Sequence, residues 1–154
     1  MIQDIANYAG QLFGKLKERA DWVETNSNSL GQSIACIMIL QLLIRAGQIY
    51  DDIKYMLTML MMTGGIRAIA RTYMIEADKN LIQALIDNGL IPSDRGQAAI
   101  TVLDNEATKI SERWTQFKQE FTNALSGVDT SYNDAVSYIL SKYQTLGCKE
   151  TFLV

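Results

Sequence analysis

Any chemistry in this chain has to come from carboxylates, lysines, arginines and two cysteines, because the sequence contains no histidine. That absence removes the commonest general base, the commonest metal ligand and the side chain that titrates near neutral pH. His-dependent triads, His-bearing zinc sites and the Glu-x-x-His pairs of di-iron bundles are thereby excluded. Asp51-Asp52 is the first carboxylate pair to test. Adjacent helical residues point about 100° apart, so the two do not converge on one proton or one metal. They read as a solvated face opposite Ile49 and Ile53. Serines and tyrosines are numerous, but none has a recognisable activating neighbour, and no Ser-x-x-Lys occurs to replace a histidine base.

The methionines Met56, Met59, Met61 and Met62 are dense for so short a stretch. Thioethers favour Cu(I), yet neither Cys nor His stands nearby to complete such a site. Core filling is the first reading of this cluster, and an adaptable binding surface the second. Arg67 and Arg71 lie one helical turn apart, and a hairpin would bring Arg45 towards them. Together they would hold a phosphate or an anionic headgroup. Pairing with acidic residues of the C-terminal half is the commoner outcome for such a group. Thr63-Gly64-Gly65-Ile66-Arg67 fits neither the P-loop nor the dinucleotide fingerprint, and no strand precedes it. Its glycines read as the turn of a helical hairpin.

Cys36 sits in the apolar run Ile34-Ala35-Cys36-Ile37-Met38 and reads as a buried structural thiol. A Cys36–Cys148 disulfide is the alternative, and two cysteines make no framework on their own. No cofactor and no metal is called for, and the chain is expected not to be an enzyme.

These residues need elements to hold them. The chain has 154 residues, 48% hydrophobic and 20% charged, with one proline and a net charge of −3. That composition is too apolar and too weakly charged for disorder, and a mildly acidic balance argues against a nucleic-acid groove. Glycine and proline punctuate the sequence, and the segments between them have helical period. Five helices are expected. The first spans 2–22, with a seam of Ile2, Ile5, Ala9, Leu12 and Leu16. A polar loop at 25–29 follows, from which any residue is suited to N-cap the next helix. The second helix spans 30–62. It is apolar on nearly all sides from Ile34 to Ile44, then one-sided along Ile49, Ile53, Leu57 and Leu60, with Gly47 at the change. Thr63-Gly64-Gly65 is expected to end it.

The third helix spans 66–88, with a buried stripe of Ile66, Ile69, Ala70, Tyr73, Met74, Ala77, Leu81, Ala84 and Leu85. Asn88-Gly89 closes it, and Pro92 keeps the connection extended. The fourth spans 94–126, opened by Asp94-x-x-Gln97, which has the form of a capping box. Ile100, Leu103, Ala107, Ile110, Trp114, Phe117 and Phe121 alternate by three and four without a break, which favours core packing over a cofactor box. The fifth spans 131–146, with Tyr132, Ala135, Val136, Ile139, Leu140 and Tyr143 on its face. Residues 149–154 form a tail. Its Phe152-Leu153-Val154 end is suited in form to a PDZ-type groove, though a tail is disordered by default.

The expected fold is therefore one all-α domain over 1–148, an antiparallel bundle of four to five helices with a long, apolar second helix. Residues 1–20 carry five charges and no apolar signal-peptide core, and the localisation is left open. Surplus apolar surface points to a non-catalytic interaction or assembly protein whose partner is protein, a second copy first of all. The interface residues expected are Ile34, Ile37, Met38, Met56, Met59, Met62, Ile100, Leu103, Ile110, Trp114, Phe117 and Phe121. A membrane-active protein that inserts the apolar hairpin 30–88 is the alternative.

Overall fold

A computed structural model of the chain describes residues 1–148, and these are helical almost throughout. The order is α1 (Ile2–Thr25), the single turn α2 (Ser27–Leu30), α3 (Gln32–Asp87) and α4 (Ser93–Thr145). The tail 149–154 and the docking reading attached to it lie outside the described residues. The chain divides into two compact units. The first combines residues 1–58 with 121–148, and the second spans Met59–Glu120.

In the first unit, α1 buries Ile2, Ala6, Ala9, Phe13, Ala20 and Val23, with Leu16 half-buried between them. This seam alternates four and three without a break over the whole helix. The seam expected from Ile5 and Leu12 is thus rotated by one position. Both registers carry apolar residues, and the observed one combines Phe13 and Val23 with three alanines that admit a neighbour closely.

Opposite it, α3 buries Ala35, Cys36, Ile39, Ala46, Ile49, Ile53 and Leu57. From α4 come Ala124, Val128, Ala135, Ile139 and Tyr143. Each fully buried Ile, Leu or Phe removes enough apolar area to stabilise the fold by about 1.5–3 kcal/mol. Hydrogen bonds fix the directions. Lys17 Nζ meets Asp134 at 2.7 Å and Lys142 Nζ meets Glu24 at 3.0 Å, so α1 and α4 run parallel here. Gln32 Nε2 donates to the Leu146 carbonyl at 2.8 Å, and Tyr50 Oη donates to Asp129 at 2.5 Å. Those two pairs run α3 antiparallel to α4.

Cys36 and Cys148 are joined in a disulfide, with Cα atoms 5.6 Å apart and 112 residues between them. The free-thiol reading of Cys36 is therefore corrected. Both cysteines belong to one buried cluster with Ala20, Val23, Ala35, Ile39, Ile139 and Tyr143. Sequence spacing alone does not pair cysteines, because the return of α4 to the start of α3 is a tertiary fact.

Three expected breaks are absent. The polar stretch after α1 is not a loop. Asn26 Nδ2 donates to the Trp22 carbonyl at 2.8 Å, so it closes α1 rather than capping the next helix. Gly31, at φ 87°, makes the turn into α3. Gly64-Gly65 does not end a helix, and α3 runs through it. Gly127 does not end α4 either, since its neighbours Ala124 and Val128 are both fully buried on the packed face. A helical glycine costs about 1 kcal/mol relative to alanine, which burial on both sides outweighs. By contrast, Gly89 does end α3. At φ 71° it lets Leu90 N bond Leu85 O at 2.9 Å and its own N bond Ile86 O at 3.0 Å, a Schellman closure.

Candidate interaction surface

The second unit pairs residues 59–87 of α3 with 93–120 of α4, an antiparallel two-helix hairpin. Its inner side is built from size complementarity. A Cβ on Gly64 would stand 3.0 Å from the Phe117 ring, and one on Gly65 would stand 3.1 Å from the Trp114 indole. The glycines are the hollows that receive two aromatic knobs, and the two rings stack on each other at 5.9 Å. Near the tip, Gly96 lies so close to Ile86 that a Cβ would meet its side chain at 2.4 Å. Between these points Lys79 Nζ bridges to Asp104 at 2.7 Å and to Glu76 at 3.4 Å. The Asp104 hydrogen bond holds this ammonium above the ordinary lysine range.

Two helices cover each other on one side only. Ile110, at 5% exposure, is the one buried large apolar side chain among residues 59–120. Apart from half-buried Leu85, the stripe of α3 expected to be buried faces outward instead. Ile66, Ile69, Tyr73, Met74 and Leu81 are each at least 60% exposed. The physical reason is that α3 is apolar on more than one side here, and α4 takes the side with the glycine hollows. Outward there remains a seam of Met59, Met62, Ile66, Ile69 and Tyr73, spaced three, four, three, four.

One flank of the hairpin carries three shallow depressions that share rim residues. The first, of about 250 Å³, is lined by Gly64, Arg67, Arg71, Arg113, Trp114 and Phe117 among others. The second, about 260 Å³, runs from Arg71 past Met74 and Ile75 to Asp78 and Glu106. A third, about 500 Å³, continues from Asp78 along Leu81, Ile82, Val102 and Leu103. Along this flank the rim is basic at one end, acidic in the middle and apolar beyond. Among the described residues, none of Arg67, Arg71 and Arg113 makes an ion pair. The pairing with acidic residues that the sequence favoured does not form. On the opposite flank, Ile69, Tyr73, Ala107 and Ser111 line a groove of about 490 Å³.

The structure separates the residues singled out from sequence. Ile34, Ile37, Met56, Met59 and Met62 are exposed, and Met38 packs half-buried against the disulfide cluster. Ile100, Leu103, Ile110, Trp114 and Phe117 turn inward between the helices of the hairpin, and Phe121 is half-buried in the first unit. Arg67 and Arg71 come together with Arg113, which sequence reasoning overlooked. Its signal was present in the spacing: Arg113 directly precedes Trp114 in the α4 seam, so it must flank the groove. Arg45 lies in the first unit, where it donates to Gln48 at 3.4 Å and lines a groove of about 390 Å³ with Arg19 and Gln41.

The first unit also holds a polar ladder between α1 and α4. Tyr138 donates to Asp21, and Lys142 pairs with Glu24 and Asp21. The hydrogen bond from Tyr138 lowers the Asp21 carboxyl below the usual carboxylate range. These groups satisfy one another. Among the described residues, no three of His, Cys, Asp or Glu stand together as a metal site. Comparison of the chain with protein-family models, curated proteins and solved structures found no match.

Proposed function

We propose that this chain is a non-catalytic helical assembly protein that self-associates as a subunit of an oligomer or larger particle. One observation carries the reading: residues 59–120 form two helices with a single buried large apolar side chain, while Ile66, Ile69, Tyr73, Met74 and Leu81, spread over both flanks, stand in solvent. Large contiguous apolar patches mark interaction sites on soluble proteins. The antiparallel bundle expected from the sequence belongs to this reading, because a second copy turns a two-helix unit into a four-helix bundle. The buried disulfide fits a protein assembled in an oxidising compartment. Light scattering at micromolar concentration tests the reading. A mass that is a multiple of 17.2 kDa supports it, and a monomer at every concentration overturns it.

A second reading has its own support. Helix α3 contains a window long and apolar enough, by length and composition, to cross a membrane, and only 28% of that window is buried. In this alternative the apolar part of α3 inserts into lipid, without the hairpin expected over 30–88, since Gln32–Asp87 is one helix. Arg45, Asp51 and Asp52 oppose it, since each charge near mid-bilayer costs about 3 kcal/mol on insertion scales. Flotation with liposomes at neutral and acidic pH separates the two. Protein that stays wholly in the aqueous fraction removes the membrane reading.

A further inference from the structure

We propose that two copies of this chain pack hairpin on hairpin, antiparallel, across the flank that carries Arg67, Arg71, Met74, Asp78 and Leu81. The proposal rests on the self-association reading above and names the face and the orientation. On α3 these five residues step four, three, four, three, so they form one line along the helix. Met74 and Leu81 on that line are exposed, as is Val102 across the groove from them. The apolar strip supplies contact area but no direction.

Charge supplies the direction. The three arginines without ion pairs lie at one end of the flank, and Asp78 and Glu106 lie further along it. A two-fold axis lying across the flank beside Met74 exchanges Arg71 of one copy with Asp78 of the other. Gly65 lies beside Trp114, and Lys79 lies beside Asp104. The point on α4 level with Met74 therefore falls between Ala107 and Lys109. A two-fold near that point sets Arg113 opposite the second copy's Val102 and Leu103, so the charge match of this arrangement is the one between Arg71 and Asp78. A parallel pairing sets Arg67 and Arg71 against the second copy's Arg113, and like charges so placed are disfavoured. The remainder of the chain shows the same polarity. Around 59–73 and 109–120, Arg67, Arg71, Lys109, Arg113 and Lys118 outnumber Glu112 and Glu120. Between 74 and 108, Lys79 and Arg95 face six carboxylates.

Cysteine cross-linking tests the face. The native cysteines are bonded to each other, so Met74→Cys introduces the lone thiol. Residues near a two-fold axis meet their own copies, so mild oxidation should convert M74C to a covalent dimer. Ile69→Cys, on the opposite flank, should stay largely uncoupled. Arg71→Asp and Asp78→Arg should each raise the dimer Kd about tenfold, and the double variant should return it towards the parent value. Circular dichroism confirms that each variant is folded, and both single variants are exposed replacements. Cross-linking of I69C as strong as that of M74C overturns the proposal, as does failure of the double variant to recover. A parent chain that associates while M74C stays uncoupled removes this face and leaves self-association standing. A parent that remains monomeric removes both.

Discussion

Gly65 and Trp114 meet as hollow and knob, with the indole rim 3.1 Å from where a Cβ on Gly65 would stand. That relationship explains why a Gly-Gly pair lies inside a 56-residue helix instead of ending it. Filling the hollow should hurt. Gly65→Leu is expected to lower stability by about 1–3 kcal/mol, the usual range for overpacking. Trp114→Leu in the same chain should recover part of that loss, because the two positions share one space. Urea unfolding of both singles and the double measures the coupling.

The disulfide closes a loop with a sequence separation of 112 residues within a fully buried cluster. Chain-entropy arguments give long loops the larger effect, with about 2–4 kcal/mol typical. The Cys36→Ala, Cys148→Ala double variant should therefore unfold at markedly lower urea than the oxidised parent. Addition of a reductant should leave the double variant unchanged while it destabilises the parent. Equal midpoints for parent and variant would show that the bond contributes nothing.

Stability should fall at alkaline pH in part through Tyr50. The hydrogen bond it donates to Asp129 raises its hydroxyl above the ordinary tyrosine range, with burial adding to the effect and Lys54 opposing it. A raised folded value favours the protonated form in the native state. The stabilisation is thus complete below the ordinary tyrosine pKa of about 10 and is lost as pH rises through the folded value. Tyr50→Phe should be less stable near neutrality and should lose less on further alkalinisation. Unfolding midpoints of the two proteins across that range provide the check.

Acid should act through Asp21, with the opposite sign. Its folded carboxyl is lowered, first by the hydrogen bond from Tyr138 and then by Lys142. That contribution is intact above the ordinary carboxylate range and disappears as pH falls through the folded value. Asp21→Asn should flatten the acid limb of the stability profile, and Tyr138→Phe should do so in part. An unchanged acid limb in Asp21→Asn would show that the ladder between α1 and α4 carries no pH-dependent stability.

Helical character was fully legible in the sequence, because three-four periodicity and the scarcity of strand signals act locally. The α4 seam from Ile100 to Phe117 was legible for the same reason, since its other sides are polar. Helix ends were less so. Gly89 and Gly64 look alike in sequence, but Gly89 occupies φ 71° at a chain reversal while Gly64 faces Phe117 across a contact. Which side of α3 turns outward was also hidden. Both Ile66-Ile69-Tyr73 and Ala68-Ile75-Ile82 have helical spacing, and the choice is made by residues on α4 distant in the sequence. Arg113 was missed because its partners on the flank, Arg67 and Arg71, belong to a different helix.

The central claim is that residues 59–120 are left incomplete by a single chain and are covered by another copy. Sedimentation equilibrium of the full chain, oxidised and at micromolar to submillimolar concentration, tests it most directly. The account predicts reversible association beyond 17.2 kDa that weakens as salt is raised, since exposed opposite charges are screened. A single 17.2 kDa species at every concentration and salt would contradict it.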